Sequence, residues 1–179
     1  IDIAPSPSSL PTIEGNPDFT VQRVPGIGVF SLNFNLDRPL VSDPLIRHAI
    51  AHAIDRELIV ETILEGNASV PKSVLGEPVF GFVDMAFDEL YPYDPNRAVE
   101  LLAEAGYERR SDGLMYDRNG NVLTLRMLPS NGRIAKDLDV AEIIQEFLRQ
   151  VGIVVQLDVF EWSTTFTLIK GETLDYDLA

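Results

Sequence analysis

The stretch that decides the fold is VLTLRMLPSNGRIAKDLDVAEIIQEFLRQVGIVVQLDVF, residues 122–160. Its two ends, 122–128 and 153–160, are mostly apolar runs of strand length. Between them, apolar residues recur at helical spacing and form one stripe, which Gly152 ends: Val140, Ile143, Ile144, Phe147, Leu148 and Val151. A helix that joins two such strands predicts a parallel pair with a right-handed crossover. The stretch therefore predicts an α/β fold.

A helical corner is expected upstream, in DPLIRHAIAHAIDR, residues 43–56. Asp43 can cap a helix, and Pro44 suits the first helical position, where a missing N–H costs nothing. The buried stripe is expected to consist of Ile46, Ala49, Ile50, Ala53 and Ile54. Asp55 can cap a second short helix that Gly66 ends. From periodicity alone, this helical corner is predicted to be part of the core.

The same device of aspartate followed by proline recurs at Asp94 and predicts a helix that ends at Gly106. Asn119-Gly120 then predicts a hairpin turn between strands at 114–117 and 122–128. Three side chains around this turn have the spacing of a calcium loop: Asp117, Asn119 and Asn121. The glycine that such a loop requires is replaced by valine, and its distal glutamate is missing, so we expect a turn.

Composition excludes several classes of function. The chain has 179 residues, enough for one domain, and no cysteine, which excludes disulfides, thiol catalysis and cysteine-ligated zinc. Its net charge of −14 disfavours a nucleic-acid partner, because phosphates would be repelled. No apolar run reaches the roughly 20 residues of a membrane span. We see no signal peptide, and the closing LDYDLA (174–179) resembles an unfinished strand, so we interpret the sequence as a fragment of a longer protein.

Two further segments are informative near the start of the chain. Residues 1–27 hold five of the twelve prolines, so we expect an extended segment without regular structure. VFSLNFN (29–35) alternates between apolar and polar residues and predicts a strand. Its apolar side, Phe30, Leu32 and Phe34, is expected to face the core. Its polar side, Ser31, Asn33 and Asn35, could face solvent or line a cleft that offers hydrogen-bond donors and acceptors.

The loop PSNGRIAK (129–136) follows a predicted strand and precedes a predicted helix. Open α/β sheets usually bind ligands at this position. Arg133 and Lys136 place positive charge near a helix N-terminus, which itself attracts anions. In so acidic a chain these two cations could hold a ligand carboxylate, although they could equally serve solubility alone.

Enzyme chemistry has no positive support in the sequence. No G-x-S-x-G, P-loop or H-E-x-x-H motif occurs. His48 and His52 are four residues apart and could reach one metal ion. The intervening residues provide no glutamate as a general base, so structural surface positions are the favoured interpretation. A metal-dependent hydrolase that uses this pair remains the third hypothesis for function.

Three segments resemble a known family when they are taken together. They are NFNLDRPLVSDPLIRHAIAHAIDRELIVETILEGNA (33–68), YDPNRAVELLAEAGY (93–107) and AEIIQEFLRQVGIVVQLDVFEWSTTF (141–166). In this order they resemble the signatures of the family 5 extracellular solute-binding proteins. These are the dipeptide-, oligopeptide- and nickel-binding components of ABC importers.

The resemblance implies a lobe of the type II periplasmic-binding-protein fold, with a mixed, mostly parallel sheet flanked by helices. It implies that residues 1–28 are an extended inter-lobe crossing segment and that residues 29–179 are an incomplete C-terminal lobe. The opening IDIA and closing DYDLA resemble strands that pass between the lobes. In similar peptide binders, the acid that holds the ligand amino group follows the segment equivalent to 176–179.

The resemblance also implies site residues. Asn33 matches a position that faces ligand, the loop Asn131–Lys136 lies near ligand-carboxylate contacts, and Trp162 is an aromatic wall or a core residue. The candidate ligand-binding residues are Ser31, Asn33, Asn131, Arg133, Lys136 and Trp162.

The function implied is the substrate-binding component of an ABC importer, which captures a peptide-like or other small solute between two lobes and delivers it to a membrane permease. We expect no catalytic residue, no metal and no cofactor, no nucleic acid, and no direct membrane insertion of this fragment. The implied location is periplasmic or extracellular, with a membrane tether left open. The alternative is a ligand-sensing domain of a transcription regulator with the same fold.

Overall fold

A computed structural model describes residues 7–134, 136–171 and 175–179. The chain divides into two compact units, residues 1–31 with 57–90 and residues 32–56 with 91–179. In the described residues no helix has the length and apolar character needed to cross a membrane. The predicted strand at the opening IDIA lies outside the described residues.

The elements are numbered in chain order. The helices are α1 Leu10–Glu14, α2 Pro39–Ser42, α3 Pro44–Ala53, α4 Arg56–Leu58, α5 Phe87–Leu90, α6 Pro95–Glu104, α7 Asp137–Gln150 and α8 Trp162–Lys170. A 3₁₀ turn covers Pro7–Ser9, and a π-helical turn covers Ile59–Ile63. The strands are β1 Glu108–Arg109, β2 Met115–Tyr116, β3 Thr124–Met127 and β4 Val154–Leu157.

The centre of the second unit is the predicted strand–helix–strand unit. β3 and β4 pair in parallel, with Leu125 opposite Val155, and α7 connects them. Four members of the predicted stripe are buried: Val140, Phe147, Leu148 and Val151. The α/β prediction and the parallel pairing are confirmed.

Two short segments extend this pair into a mixed, mostly parallel sheet. Leu178 bridges Met127 in parallel and Phe34 in antiparallel. Asn33 and Ala179 exchange backbone hydrogen bonds, N to O, of 2.7 and 3.0 Å. The order across the sheet is therefore Phe34, Leu178, β3 and β4.

Two of the three predicted helix caps, Asp43 and Asp94, are confirmed, and the predicted cap at Asp55 stays a prediction. The carboxylate of Asp43 accepts from the backbone N–H of Leu45 at 2.8 Å, and that of Asp94 accepts from Arg97 at 2.9 Å. α3 and α6 pack against each other, and each has an apolar face that is nearly or fully buried. The buried residues are Ile46, Ala49, Ile50 and Ala53 in α3 and Ala98, Leu101 and Leu102 in α6. Each isoleucine or leucine buried in this way contributes roughly 1.5–3 kcal/mol of transfer free energy.

The Asn119-Gly120 turn is confirmed and is held together by one carboxylate. Asp117 accepts hydrogen bonds from the backbone N–H groups of Asn119 and Asn121 and from the side-chain amide of Asn121, at 2.8–3.0 Å. Hydrogen bonds from Asn121, and then from Asn119, lower the pKa of Asp117 below its ordinary value. The carboxylate of Asp117 therefore stabilises the turn.

The structure corrects the prediction for residues 29–35. Only Phe34 forms a bridge there, and the alternation of exposure is not the predicted one, because Asn35 is 7% exposed while Phe30 is 43% exposed. The buried amide of Asn35 donates to the carbonyl of Tyr176 at 2.9 Å. A polar side chain can take an interior position in this way when it satisfies a backbone group.

The first unit contains a helix that the proline content did not predict. α1 includes Pro11 in its first turn, where proline needs no N–H partner. Residues 57–90 continue from a π-helical turn into a loop, in which Met85 N–H donates to the carbonyl of Lys72 at 3.0 Å. Gly76 lies so close to the backbone of Ile27 that a Cβ atom there would be 2.8 Å from its carbonyl oxygen. The proline-rich segment and the loop thus pack as one unit.

Candidate functional site

The carboxyl edge of the sheet is the place where the predicted loop lies. β3 continues into the loop 128–136, and β4 continues into the residues before α8. The two connections contact each other, because the N–H of Trp162 donates to the carbonyl of Asn131 at 3.0 Å. This contact brings together Asn131, Arg133 and Trp162, which we call the edge cluster.

Within the edge cluster, the guanidinium of Arg133 lies over the indole ring of Trp162, 4.6 Å from the ring centre. Arg133 is exposed, and Trp162 is half-buried beside Phe166, with 5.4 Å between the two ring centres. A cation over an indole face is worth about 0.5–1 kcal/mol at an exposed site. A guanidinium that lies over a ring can still donate hydrogen bonds from its edge to an anion. No carboxylate in the described ranges forms an ion pair with Arg133.

The start of α7 is already occupied by a carboxylate of the chain itself. Buried Asp137 accepts from the backbone N–H groups of Arg133 at 3.0 Å and of Leu138 at 2.9 Å. Lys136 has a left-handed backbone, with φ of +70°, and its ammonium pairs with Asp139 at 2.8 Å. Carboxylates of the chain itself therefore accept most of the hydrogen bonds at the start of this helix and pair with Lys136. Of the two predicted cations, Arg133 is the more available to a ligand.

Two of the remaining candidates are Asn33 and Ser31. Asn33 is exposed, and its side-chain amide donates to the carbonyl of Ala179 at 3.3 Å. Ala179 follows Leu178, which pairs in parallel with Met127, so the register places Asn33 at the same carboxyl edge of the sheet. Ser31 is exposed and belongs to the first unit.

Sequence reasoning missed an arginine–aspartate network on this sheet, formed by Arg38, Arg126, Asp158, Asp175 and Asp177. Arg126 Nη2 lies 2.6 Å from Asp158, and its Nη1 contacts Asp175. Asp177 accepts from the backbone N–H of Arg126 at 2.8 Å and from Arg38 Nε at 3.2 Å, while Arg38 Nη1 lies 3.1 Å from Asp175. The one available signal was a charged residue, Arg126, inside a mostly apolar predicted strand.

This network fixes the sheet and neutralises two arginines. The hydrogen bonds that Arg126 donates, mainly to Asp158 and next to Asp175, raise the pKa of Arg126 above its ordinary value. Two cations and three carboxylates leave the network with one net negative charge. It therefore gives an anionic ligand no free cation, in contrast to Arg133.

The histidine pair lies elsewhere in the second unit. His48 lines a cavity of about 240 Å³ with Phe34, Arg47, Ala51 and Tyr91. Across the part of the chain that the structure describes, no group of three or more histidine, cysteine, aspartate or glutamate residues could hold a metal ion.

Comparison with solved structures identifies the fold class as that of type II periplasmic binding proteins. The oligopeptide-binding protein AppA from Bacillus subtilis, solved with a nonapeptide, superposes with a TM-score of 0.81 at 23% identity, over 97% of this chain and 34% of that one. The dipeptide-binding protein from Pseudoalteromonas, solved with Met-Leu, gives 0.77 at 27% identity, over 97% and 32%. The fold predicted from the resemblance is confirmed.

The family follows from the sequence comparison. The chain matches the bacterial extracellular solute-binding proteins, family 5 (middle), over residues 1–179, and it belongs to that family. It is 29% identical over 150 residues to the oligopeptide-binding protein AppA of Bacillus subtilis and 25% identical over 158 residues to the dipeptide-binding protein of Escherichia coli. These alignments cover 82% and 88% of this chain, which spans only 27% and 28% of the two relatives.

Proposed function

We propose that this chain is part of the substrate-binding component of an ABC importer. Such a component would capture a peptide-like or other small solute between two lobes and deliver it to a membrane permease. Family membership supports this proposal, as do relatives that are named for binding oligopeptides and dipeptides. These relatives favour the importer over the sensor of a transcription regulator.

The observation that carries the proposal is the Arg133 guanidinium stacked on Trp162 at the carboxyl edge of the sheet. A guanidinium held in one plane can donate two parallel hydrogen bonds to a carboxylate. The edge also offers the exposed amide of Asn33, and Trp162 provides an apolar wall. We assign Arg133 to an anionic group of the solute, with Asn33, Asn131 and Trp162 as its surroundings.

The two-lobed arrangement is part of the same proposal. In it, residues 1–28 form the crossing between lobes, and residues 29–179 belong to the C-terminal lobe, with the other lobe supplying the rest of the pocket. Ligand contacts made only in the closed form would stabilise that form by their differential affinity. The location would be periplasmic or extracellular.

The test is a solute screen on the intact protein that contains this chain. Thermal unfolding would be followed with peptides, opines, sugars and metal chelates, because a ligand that binds only the folded state raises the melting temperature. We expect a rise with small solutes that carry a carboxylate. An intact protein that bound only nucleic acid, or that converted a substrate to product, would overturn the importer proposal.

A further inference from the structure

α3 presents two histidines one turn apart, and they are the only histidines in the sequence. His48 is exposed and His52 is half-buried. Both rings lie against the ring of Tyr91, with 5.5 Å and 5.8 Å between ring centres. Residues four apart on a helix have Cβ atoms about 5–6 Å from each other. One tyrosine therefore restricts two neighbouring imidazoles on the same side of one helix.

The hydrogen bond of His52 determines which of its nitrogen atoms can bind a metal. Its Nδ1 lies 2.9 Å from the carbonyl oxygen of Pro92, which can only accept a hydrogen bond. The proton of the neutral ring is therefore on Nδ1, and Nε2 carries the lone pair. This is the arrangement in which a backbone carbonyl orients a metal-binding histidine.

We propose that α3 binds one divalent first-row transition-metal ion through Nε2 of His52 and an imidazole nitrogen of His48, with water completing the coordination. Imidazole nitrogens suit Zn²⁺, Ni²⁺ and Cu²⁺, and histidines at i and i+4 can share one ion. Contact with Tyr91 reduces the side-chain freedom that binding must remove. The net charge of −14 attracts cations.

This inference differs from the interpretation of the sequence, which favoured structural surface positions for the pair. The contact between His52 and Pro92 and the shared contact with Tyr91 were not readable from the sequence, and they are what pre-orients the two ligands. With two protein ligands, the site is one for reversible binding of an ion and provides no catalytic base. This ion site does not depend on the assignment of Arg133 to the solute.

The test is calorimetric titration of the untagged intact protein with Zn²⁺, compared with His48→Gln and His52→Gln. Glutamine keeps a neutral polar side chain of similar length but is a poor zinc ligand. We expect each variant to lose one bound ion per chain, or to bind it at least about tenfold more weakly, because one of two ligands is gone. The double variant should behave like either single one.

Nitrogen-15 labelling of histidine gives a second measurement that does not depend on a fully stable variant. In the wild-type protein, Zn²⁺ is expected to shift the ring nitrogens of His48 and His52 together and at the same concentration. Equal zinc binding by wild type and His48→Gln would overturn the proposal. So would zinc binding that leaves both sets of ring resonances unchanged, even if His52→Gln failed to fold.

Discussion

At the scale of single residues, Asp177 is a buried acid that connects distant parts of the second unit. Its side chain is 3% exposed and receives a backbone N–H from β3 and the Nε–H of Arg38. It therefore joins three parts of the chain: the segment after Asn35, the strand that contains Arg126 and the closing residues. Asp175 binds the same two arginines but is 63% exposed, which makes it a matched control.

We predict that Asp177→Asn lowers the free energy of unfolding by about 2 kcal/mol, because the half-buried Arg38 loses the negative charge of a buried partner. Asp175→Asn should cost less than about 1 kcal/mol, because exposed ion pairs contribute little. Urea denaturation of both variants measures the difference. Equal destabilisation by the two substitutions would contradict the role assigned to Asp177.

A second residue-scale prediction concerns the acidity of Glu146. Hydrogen bonds from Arg149, and then from Gln150, lower the pKa of Glu146 from 4.5 to about 2. Because the folded-state pKa is depressed, the stabilisation is present above about pH 4.5 and is lost as the pH falls through about 2. We expect Arg149→Met to return this pKa towards 4.5, as measured by NMR titration. A pKa that does not move in Arg149→Met would show that Arg149 is not the cause.

Single residues also show where sequence reasoning succeeds. Asp43 and Asp94 were predicted as caps because a cap depends on neighbours within three residues, and both accept the expected N–H. Asn35 was predicted on the polar side of a strand, whereas it is buried, because its amide donates to the carbonyl of Tyr176, 141 residues away. Local chemistry is readable from the sequence, whereas a long-range hydrogen bond is not.

At the scale of elements, the connection from α7 to β4 depends on Gly152. Its φ is +90°, and a Cβ atom there would lie 2.7 Å from the carbonyl oxygen of Gly113 and 3.0 Å from the backbone N of Met115. Such distances to backbone atoms cannot be relieved by turning a side chain. The residues just before β4 therefore pack directly against the backbone at the start of β2.

We predict that Gly152→Ala destabilises the protein by about 3 kcal/mol, since it adds a steric clash to the cost of a left-handed alanine. Gly132→Ala is the control, because Gly132 also has a positive φ, of +80°, but a Cβ atom added there would have no heavy atom within 4 Å. It should cost only about 1 kcal/mol. Thermal unfolding of both variants measures this, and equal losses would show that packing at Gly152 does not matter.

The elements themselves could be predicted to different degrees. β3, α7 and β4 followed from a change of hydrophobic period within one stretch, and their parallel pairing followed from the helix between them. The bridges from Leu178 to Phe34 and to Met127 could not be derived by pattern, because they join segments far apart in the chain. α1 was missed because proline content was counted without its position in the first turn.

At the scale of the whole molecule, the position of the candidate site was predictable and its contents were less so. The rule that α/β sheets bind ligands at the carboxyl ends of strands selected the loop at 129–136. The sequence could not show that Asp137 would accept the N–H groups at the start of α7, or that Asp139 would pair with Lys136. Nor could it show that Arg133 would lie over the ring of Trp162. Because of these contacts, the hypothesis that Arg133 and Lys136 together hold a ligand carboxylate is reduced to Arg133 alone.

The central claim is that Arg133, stacked on Trp162, binds an anionic group of the solute. The most direct measurement is the affinity of the intact protein for the best carboxylate-bearing solute from the screen, compared with Arg133→Ala and Arg110→Ala. Arg110 is the matched control, because it also lies over an aromatic ring, 3.9 Å from the ring centre of Tyr116. Both variants lose one charge and one ring contact.

We predict that Arg133→Ala weakens the affinity about 10- to 100-fold, as expected for the loss of a charge-assisted hydrogen bond worth about 1.5–3 kcal/mol. Arg110→Ala should leave the affinity within about twofold of wild type, since single surface charges away from a site act weakly across screened distances. Equal affinities for wild type and Arg133→Ala, with the solute still bound, would contradict the assignment of Arg133 to the solute.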